Sequence, residues 1–125
     1  MLRLIVFILF CLSCHSKNKA ILISSSIGFY NYRQGSNILK IYAHLKERGL
    51  NDEDIILMIP ENGKCSLKNS KLGSINFYDN DYTDIGREVD LDYSHSDMKL
   101  KNIYDVLTFK YHPYTLNRKR LKTNN

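Results

Sequence analysis

Residues 19–60 read KAILISSSIGFYNYRQGSNILKIYAHLKERGLNDEDIILMIP. The runs at 19–26 and 54–60 are short, apolar and rich in β-branched residues, as buried parallel strands are. Between them a helix is predicted from Arg33 to Arg48, and Gly49 is well suited to end it. Apolar residues recur in this helix every three or four positions, at Ile38, Ile41, Tyr42 and Leu45. A strand, a helix and a second strand predict a right-handed crossover between parallel strands, so the fold class is α/β.

Downstream of the second run the signals are less regular. Residues 61–87 are polar and fit a small hairpin or an extended arm equally well. Residues 87–94 alternate apolar and acidic side chains, which is the period of a short strand or an extended segment. Ser96 is suited to cap a helix predicted from Asp97 to Lys110, with an apolar stripe of Leu100, Ile103, Val106 and Leu107. No apolar run follows Leu121, so we expect the sheet to stop before its third core strand.

The N-terminal segment has the order of features found in secretory signal peptides. Arg3 supplies a positive charge, Leu4 to Leu12 form an apolar run, and the small residues Cys14 and Ser16 suit cleavage. An apolar run of this length is too short to cross a bilayer, which takes roughly 20 residues. We therefore expect residues 1–16 to be a signal peptide that directs the chain into the secretory pathway. An uncleaved anchor and a misread start are the alternatives.

Residues 17–121 then form a single predicted domain, and residues 122–125 form a tail. Much of the formal net charge of +5 lies near this end, at Arg118, Lys119, Arg120 and Lys122. Such a cluster can bind nucleic acid or lipid head groups. We interpret it as a solvated terminus, because a secreted chain rarely meets nucleic acid, and predict no nucleic-acid partner.

Cleavage of the signal peptide would leave Cys65 as the remaining cysteine of the chain. A single thiol in an oxidising compartment indicates pairing with another chain, although a cysteine is often a small buried hydrophobe. Cys65 lies in the polar stretch PENGKCSLKNS. These surroundings favour an exposed thiol with an intermolecular partner.

Six motifs in this order make the chain resemble the N-terminal part of the legumain-like, caspase-fold cysteine peptidases. Within that family it is most similar to the branch of glycosylphosphatidylinositol (GPI) transamidase catalytic subunits. The motifs are FYNYR (29–33), Asn37, G-x-x-D (49–52), an LM strand with Cys65 in the loop after it, EVDLDY (88–93) and KRL (119–121). The resemblance implies the first half of a caspase-like parallel sheet flanked by helices.

The same resemblance implies an activity and a place for it. Enzymes of this branch cleave a C-terminal signal from proteins in the endoplasmic reticulum (ER) and attach the GPI anchor by thiol-dependent acyl transfer. The implied partners are the other subunits of a membrane-associated complex, substrate proteins with C-terminal GPI signals, and the GPI lipid. No organic cofactor is implied.

For three residues the resemblance implies separate roles. Asn31 matches the asparagine that orients the catalytic histidine, a task for which a neutral carboxamide at a strand end is suited. Arg33 matches an arginine of the substrate pocket, and a salt bridge at the start of the helix is the alternative. Cys65 matches the cysteine that forms a disulfide with a partner subunit, in agreement with the argument from cysteine count.

Four further positions match a structural Ca²⁺ site in the same branch. They are Asp52, Ile55, Asp90 and Asp92. Carboxylate and backbone carbonyl oxygens are ligands that Ca²⁺ prefers. Solvated charges that bind no metal are the alternative.

The chain departs from the family in one respect that bears on catalysis. The family places its histidine in a TGHGG-like turn after the third strand and its nucleophilic cysteine after the fourth, and this sequence has neither motif. We therefore expect the chain alone to be inactive, since an acyl-enzyme route needs both groups. A non-catalytic adapter subunit of the complex and a small secreted binding protein are the alternative functions.

Overall fold

The computed structural model describes residues 18–61, 63–75, 84 and 89–121. The predicted signal peptide, most of the undecided region between residues 76 and 88, and the tail lie outside this part. Its regular elements are strand β1 (Ala20–Ile23), helix α1 (Tyr32–Glu47), strand β2 (Ile55–Met58) and helix α2 (Leu100–Thr108). Within the described ranges no helix is both long enough and apolar enough to span a membrane.

The two strands pair in parallel, which confirms the predicted strand–helix–strand unit and the α/β class. Ala20 lies opposite Ile55, and Ile23 lies opposite Met58. The pairing extends one residue further, because the backbone N–H of Ser24 donates to the carbonyl oxygen of Met58 at 2.9 Å. Every residue of β2 is buried, whereas β1 is half-buried along its whole length.

A short extended segment runs along the other edge of β2. The backbone N–H of Tyr93 donates to the oxygen of Leu57, and the N–H of Ile59 donates to the oxygen of Tyr93, at 3.2 and 3.1 Å. Tyr93 also forms an isolated parallel bridge with Met58. The prediction of a strand or extended segment at 87–94 is therefore met by this bridge at Tyr93.

Alternating side chains of β2 divide the core between the two faces of the sheet. One face packs against α1, and the other packs against α2 and the C-terminal segment. The first cluster consists of Leu39, Tyr42, Ile55, Leu57, Ile59 and Ile75, and the second of Ile56, Met58, Tyr93, Val106 and Leu121.

The predicted apolar stripe of α1 was wrong in its centre. Leu39 is 1% exposed and faces β2, whereas Ile41 is 48% exposed. The helix starts at Tyr32 and buries the small residues Gly35 and Ser36, so its buried face is turned relative to the predicted stripe.

The second helix is shorter than predicted. It begins at Leu100 and not at Asp97, and Ser96 belongs to a short 3-10 helix and does not cap it. Leu100 and Leu107 are 82% and 57% exposed, so Val106 alone of this stripe is fully buried. A helix of nine residues against a narrow sheet covers less area than the stripe predicted.

Candidate functional site

Residues 27–31, which we call the Asn31 turn, connect the end of β1 to α1. The backbone N–H of Asn31 donates to the oxygen of Gly28, and its side-chain Nδ2 donates to the oxygen of Ile27, both at 3.0 Å. Gly28 has φ +84°, a conformation that residues with a side chain rarely adopt. Because Nδ2 is used within the turn, the exposed amide presents its Oδ1 as the acceptor atom.

Arg33 is exposed in the first turn of α1. None of the ion pairs among the described residues includes its guanidinium. The alternative of a salt bridge at the start of the helix therefore has no partner in the described ranges. The side chain is exposed, two residues from Asn31.

Cys65 is an exposed free thiol in a folded loop, residues 63–75, which we call the Cys65 loop. Asn69 is buried at the centre of this loop. Its Nδ2 donates to the oxygens of Gly63 and Ser74 at 3.3 and 2.9 Å, and its Oδ1 accepts the N–H of Lys71 at 3.0 Å. The prediction that Cys65 is exposed is confirmed.

The carboxylate of Asp92 lies against the edge of β2. Its Oδ2 accepts the backbone N–H of Leu57 at 2.9 Å. Burial raises the pKa of Asp92 to about 6, and the carboxylates of Asp52 and Asp90 contribute in the same direction, while the Leu57 N–H and Arg118 oppose it. Deprotonation of Asp92 therefore costs free energy in the folded chain.

Asp52 precedes β2 and contacts α1. Its Oδ1 accepts a hydrogen bond from the hydroxyl of Tyr42 and lies 3.4 Å from Nζ of Lys46. Burial, this hydrogen bond and the charges of Asp52, Asp92 and Asp90 raise the pKa of Tyr42. The three acidic residues that the sequence singled out thus all lie close enough to Tyr42 for their charges to contribute to this raised pKa.

The arrangement of these carboxylates is looser than a filled metal site. Within the described ranges no group of three His, Cys, Asp or Glu side chains converges on a point that a metal ion could occupy. Ile55 has an orientation that fits the proposed set. Backbone groups of successive strand residues point to opposite edges, so Ile55, two residues from Leu57, shares with it the edge that Asp92 contacts.

The histidines of the described chain take other roles. Nδ1 of His44 lies 3.5 Å from the carboxylate of Glu47, and Nδ1 of His112 accepts the N–H of Tyr114 at 3.4 Å. Within residues 18–61, 63–75 and 89–121, no hydrogen bond or ion pair joins a histidine to Cys65. Cys65 is therefore not paired with a base in the way of a catalytic thiol.

Some contacts of the site were not foreseen from the sequence. Asn69 and Lys46 carried no signal that separates them from other polar residues. The basic cluster is also partly internal, because Lys119 pairs with Asp97 and Arg120 donates to the oxygens of Pro113 and Thr115 at 2.9 and 3.0 Å.

Comparison with known families identifies the family to which this chain belongs. The model of the Peptidase C13 family matches residues 18–125. The chain belongs to the Peptidase C13 family, a family of cysteine-peptidase-type enzymes.

Among its relatives are proteins named GPI-anchor transamidase. The chain is 35% identical over 115 residues to the one from Schizosaccharomyces pombe, with 90% of this chain and 30% of the relative covered. It is 32% identical over 110 residues to those from Homo sapiens and Mus musculus, with 87% of this chain and 28% of each relative covered. The chain thus spans about 30% of the length of these relatives.

Proposed function

We propose that this chain is the N-terminal part of a GPI transamidase catalytic subunit. In the complete enzyme a cysteine attacks the carbonyl at the cleavage site of a C-terminal signal, a histidine moves the protons, and the amine of the GPI lipid resolves the thioester. The observation that carries the proposal is the similarity to GPI-anchor transamidases over 87–90% of this chain. The residues of this chain supply positioning and assembly groups, and we propose that the chain alone is inactive.

Asn31 is the residue that we assign to the reaction. Its Nδ2 is held by the oxygen of Ile27, so Oδ1 is left to accept an imidazole N–H. Accepting that proton fixes the histidine tautomer and leaves the other ring nitrogen to act as the base. We further propose that Arg33, exposed beside this turn, binds the substrate.

Cys65 is the residue that we assign to assembly. It is exposed, and its loop is ordered around Asn69, so a partner subunit can reach the thiol. An intermolecular disulfide also fits the oxidising secretory pathway. We therefore propose that the protein works at the ER in a membrane-associated complex and is linked to one subunit through Cys65.

A structural Ca²⁺ site is the last part of the proposal. Asp52, Asp90 and Asp92 would supply carboxylate oxygens, and Ile55 would supply its backbone oxygen. The support is that burial raises the pKa of Asp92, and that the nearby charges of Asp52 and Asp90 contribute a smaller repulsion in the same direction. A divalent cation would relieve this repulsion when bound.

A chimaeric enzyme tests the function. Residues 18–125 of this chain replace the matching region of the S. pombe relative, in cells depleted of their own enzyme. We expect the chimaera to restore GPI-anchored proteins at the cell surface, measured by flow cytometry. The 125-residue chain by itself should restore none.

The outcomes separate the alternatives. Restoration by the chimaera supports the transamidase assignment. A chimaera that joins the complex but restores nothing indicates an adapter, and one that neither joins nor restores indicates a secreted binding protein. Sequencing the transcript beyond the codon for Asn125 shows whether the frame continues into a His–Gly turn.

A further inference from the structure

The Asn31 turn is linked to a carboxylate on another segment. Oε2 of Glu61, after β2, accepts the backbone N–H of Gly28 at 3.2 Å. The oxygen of the same Gly28 accepts the N–H of Asn31 at 3.0 Å. Glu61 is thus connected to Asn31 through hydrogen bonds to a single residue, Gly28. Asn31 is the residue whose side-chain amide we propose to contact the histidine.

A second contact joins the start of α1 to the Cys65 loop. Gly63 is buried with φ +69°, and a Cβ built on it would lie 3.0 Å from Cδ2 of Tyr32. The backbone of the loop therefore packs closely on the ring of Tyr32, and a Cβ at this position would require the ring to shift by a few tenths of an ångström. Tyr32 follows Asn31 in the chain, so this contact fixes the C-terminal side of the turn.

A third contact involves the most exposed aromatic residue of the turn. Nζ of Lys68 donates to the hydroxyl of Tyr30 at 3.1 Å and lies 4.2 Å from the centroid of its ring. A cation over an aromatic face is a favourable interaction even at an exposed site. Three separate contacts thus connect residues 61–68 to residues 28–32.

The Cys65 loop, which makes two of these contacts, is closed by its own hydrogen bonds. Asn69 joins both ends of the Cys65 loop, and the N–H of Gly73 donates to the oxygen of Lys64 at 2.9 Å. A loop closed by its own hydrogen bonds can hold a neighbouring turn in place. The Asn31 turn has no regular element of its own to do so, apart from three residues of 3-10 helix.

We propose that Glu61 is the positioning residue for Asn31, and that the Cys65 loop supports the same turn through Gly63 and Lys68. The inference rests on the proposed function in that Asn31 must serve the reaction for the positioning to matter. In consequence, the loop that we propose to hold the partner subunit and the turn that we propose to orient the histidine are in direct contact.

Amide exchange measured by NMR on the full 125-residue chain tests the positioning. Glu61→Ala should speed exchange of the Gly28 and Asn31 amides about fivefold, the effect of losing one modest hydrogen bond. Glu61→Gln should keep both rates within about twofold of wild type, because its Oε1 still accepts the N–H. The side-chain NH₂ signals of Asn31 should shift with Glu61→Ala alone.

The matched control is Lys101→Met, which removes an exposed ion pair with Asp105 on α2. It should change neither the exchange rates nor the Asn31 signals. Equal exchange in Glu61→Ala and wild type overturns the proposal. So does a rise in Glu61→Gln as large as in Glu61→Ala, since the carboxamide keeps the acceptor.

The chimaera separates this inference from the function on which it rests. If Glu61 acts through Asn31, the double variant Asn31→Ala/Glu61→Ala should be no less active than Asn31→Ala alone. Losses that multiply overturn the positioning role. If the unmutated chimaera is inactive, the proposed function fails, and the exchange rates still decide whether Glu61 holds the turn.

Discussion

The hydroxyl of Tyr42 donates a hydrogen bond to the carboxylate of Asp52, and this bond ties the middle of α1 to the turn that enters β2. The ring of Tyr42 is 7% exposed and belongs to the core, while Asp52 is exposed. The bond therefore connects a core side chain to the acidic surface where we propose a metal.

Tyr42→Phe keeps the ring and removes this bond. We expect the free energy of unfolding to fall by about 1 kcal/mol, because a typical hydrogen bond contributes that much. Tyr42→Ala should cost several times more, about 3–5 kcal/mol, since it also leaves a cavity. Urea unfolding followed by circular dichroism measures both losses. Equal losses in the two variants would contradict the separate contribution assigned to the packed ring.

Leu39 and Ile41 form a matched pair on α1. Leu39→Ala should lower the free energy of unfolding by about 2–5 kcal/mol, because its side chain is fully buried against β2. Ile41→Ala should cost less than about 1 kcal/mol, since half of that side chain is exposed. The same urea titration ranks them, and a larger loss at Ile41 would mean that another surface covers it.

Asp92 predicts a pH dependence of stability. Its carboxyl has a pKa of about 6 in the folded chain against an ordinary 3.8, so the folded state holds the proton more tightly than the unfolded state. The contribution to stability is complete below pH 3.8 and is lost as the pH rises through about 6. Without divalent cations, Asp92→Asn should therefore raise the melting temperature at pH 7 and flatten its dependence on pH between about 4 and 6.

The same variant tests the proposed metal site. Added Ca²⁺ should raise the melting temperature of the wild-type chain at pH 7, because binding to the folded state stabilises it by mass action. Asp92→Asn should weaken this response, and Glu47→Gln, on an acidic residue outside the set, should leave it intact. A wild-type melting temperature unchanged by millimolar Ca²⁺ would remove the metal from the proposal.

Cys65→Ser tests assembly. In cells that express the chimaera, the variant should lose the disulfide-linked species on a non-reducing gel. Its melting temperature should stay close to that of wild type, because the thiol is exposed. The double variant Cys65→Ser/Ser70→Cys, which moves the thiol within the loop, should not restore the disulfide-linked species. If it does, any exposed thiol of the loop suffices for the link.

Asn31→Ala should lower the activity of the chimaera between about tenfold and a hundredfold, the effect of a misplaced catalytic group. The reason is that the imidazole loses the acceptor that fixes its orientation. The level of GPI-anchored proteins at the surface measures this loss, at equal amounts of assembled enzyme. Full activity in Asn31→Ala would contradict the role assigned to its Oδ1.

The parallel strands and the crossover helix followed from the sequence because β2 is apolar at every residue and α1 is long and periodic. The centre of the α1 stripe did not follow, since the buried face of the helix includes Leu39 and the small residues Gly35 and Ser36, which the spacing of large apolar residues did not single out. For Leu100 the stripe on the second helix also misled, because the helix begins at this residue and leaves its side chain 82% exposed.

The residues of the candidate site likewise include some that the sequence predicted and some that it did not. Asn31 and Cys65 stood out because the end of a strand and an unpaired cysteine can be recognised from the sequence alone. Glu61 and Asn69 did not, because their roles depend on contacts with backbone atoms of other segments. Sequence patterns report side chains that face a core or a solvent, and they say little about a polar side chain that holds a loop.

Strand β1 has a consequence for handling the protein. Alternation along the strand directs the backbone groups of Ile21 and Ile23 away from β2, and no described residue pairs with them. Such a row of donors and acceptors is a template for a strand from a second copy. Lys19, whose charge would repel that copy, is engaged at 3.4 Å by Asp54. Among the described residues, β1 therefore presents an edge to which a further strand, of this protein or of a second copy, could pair.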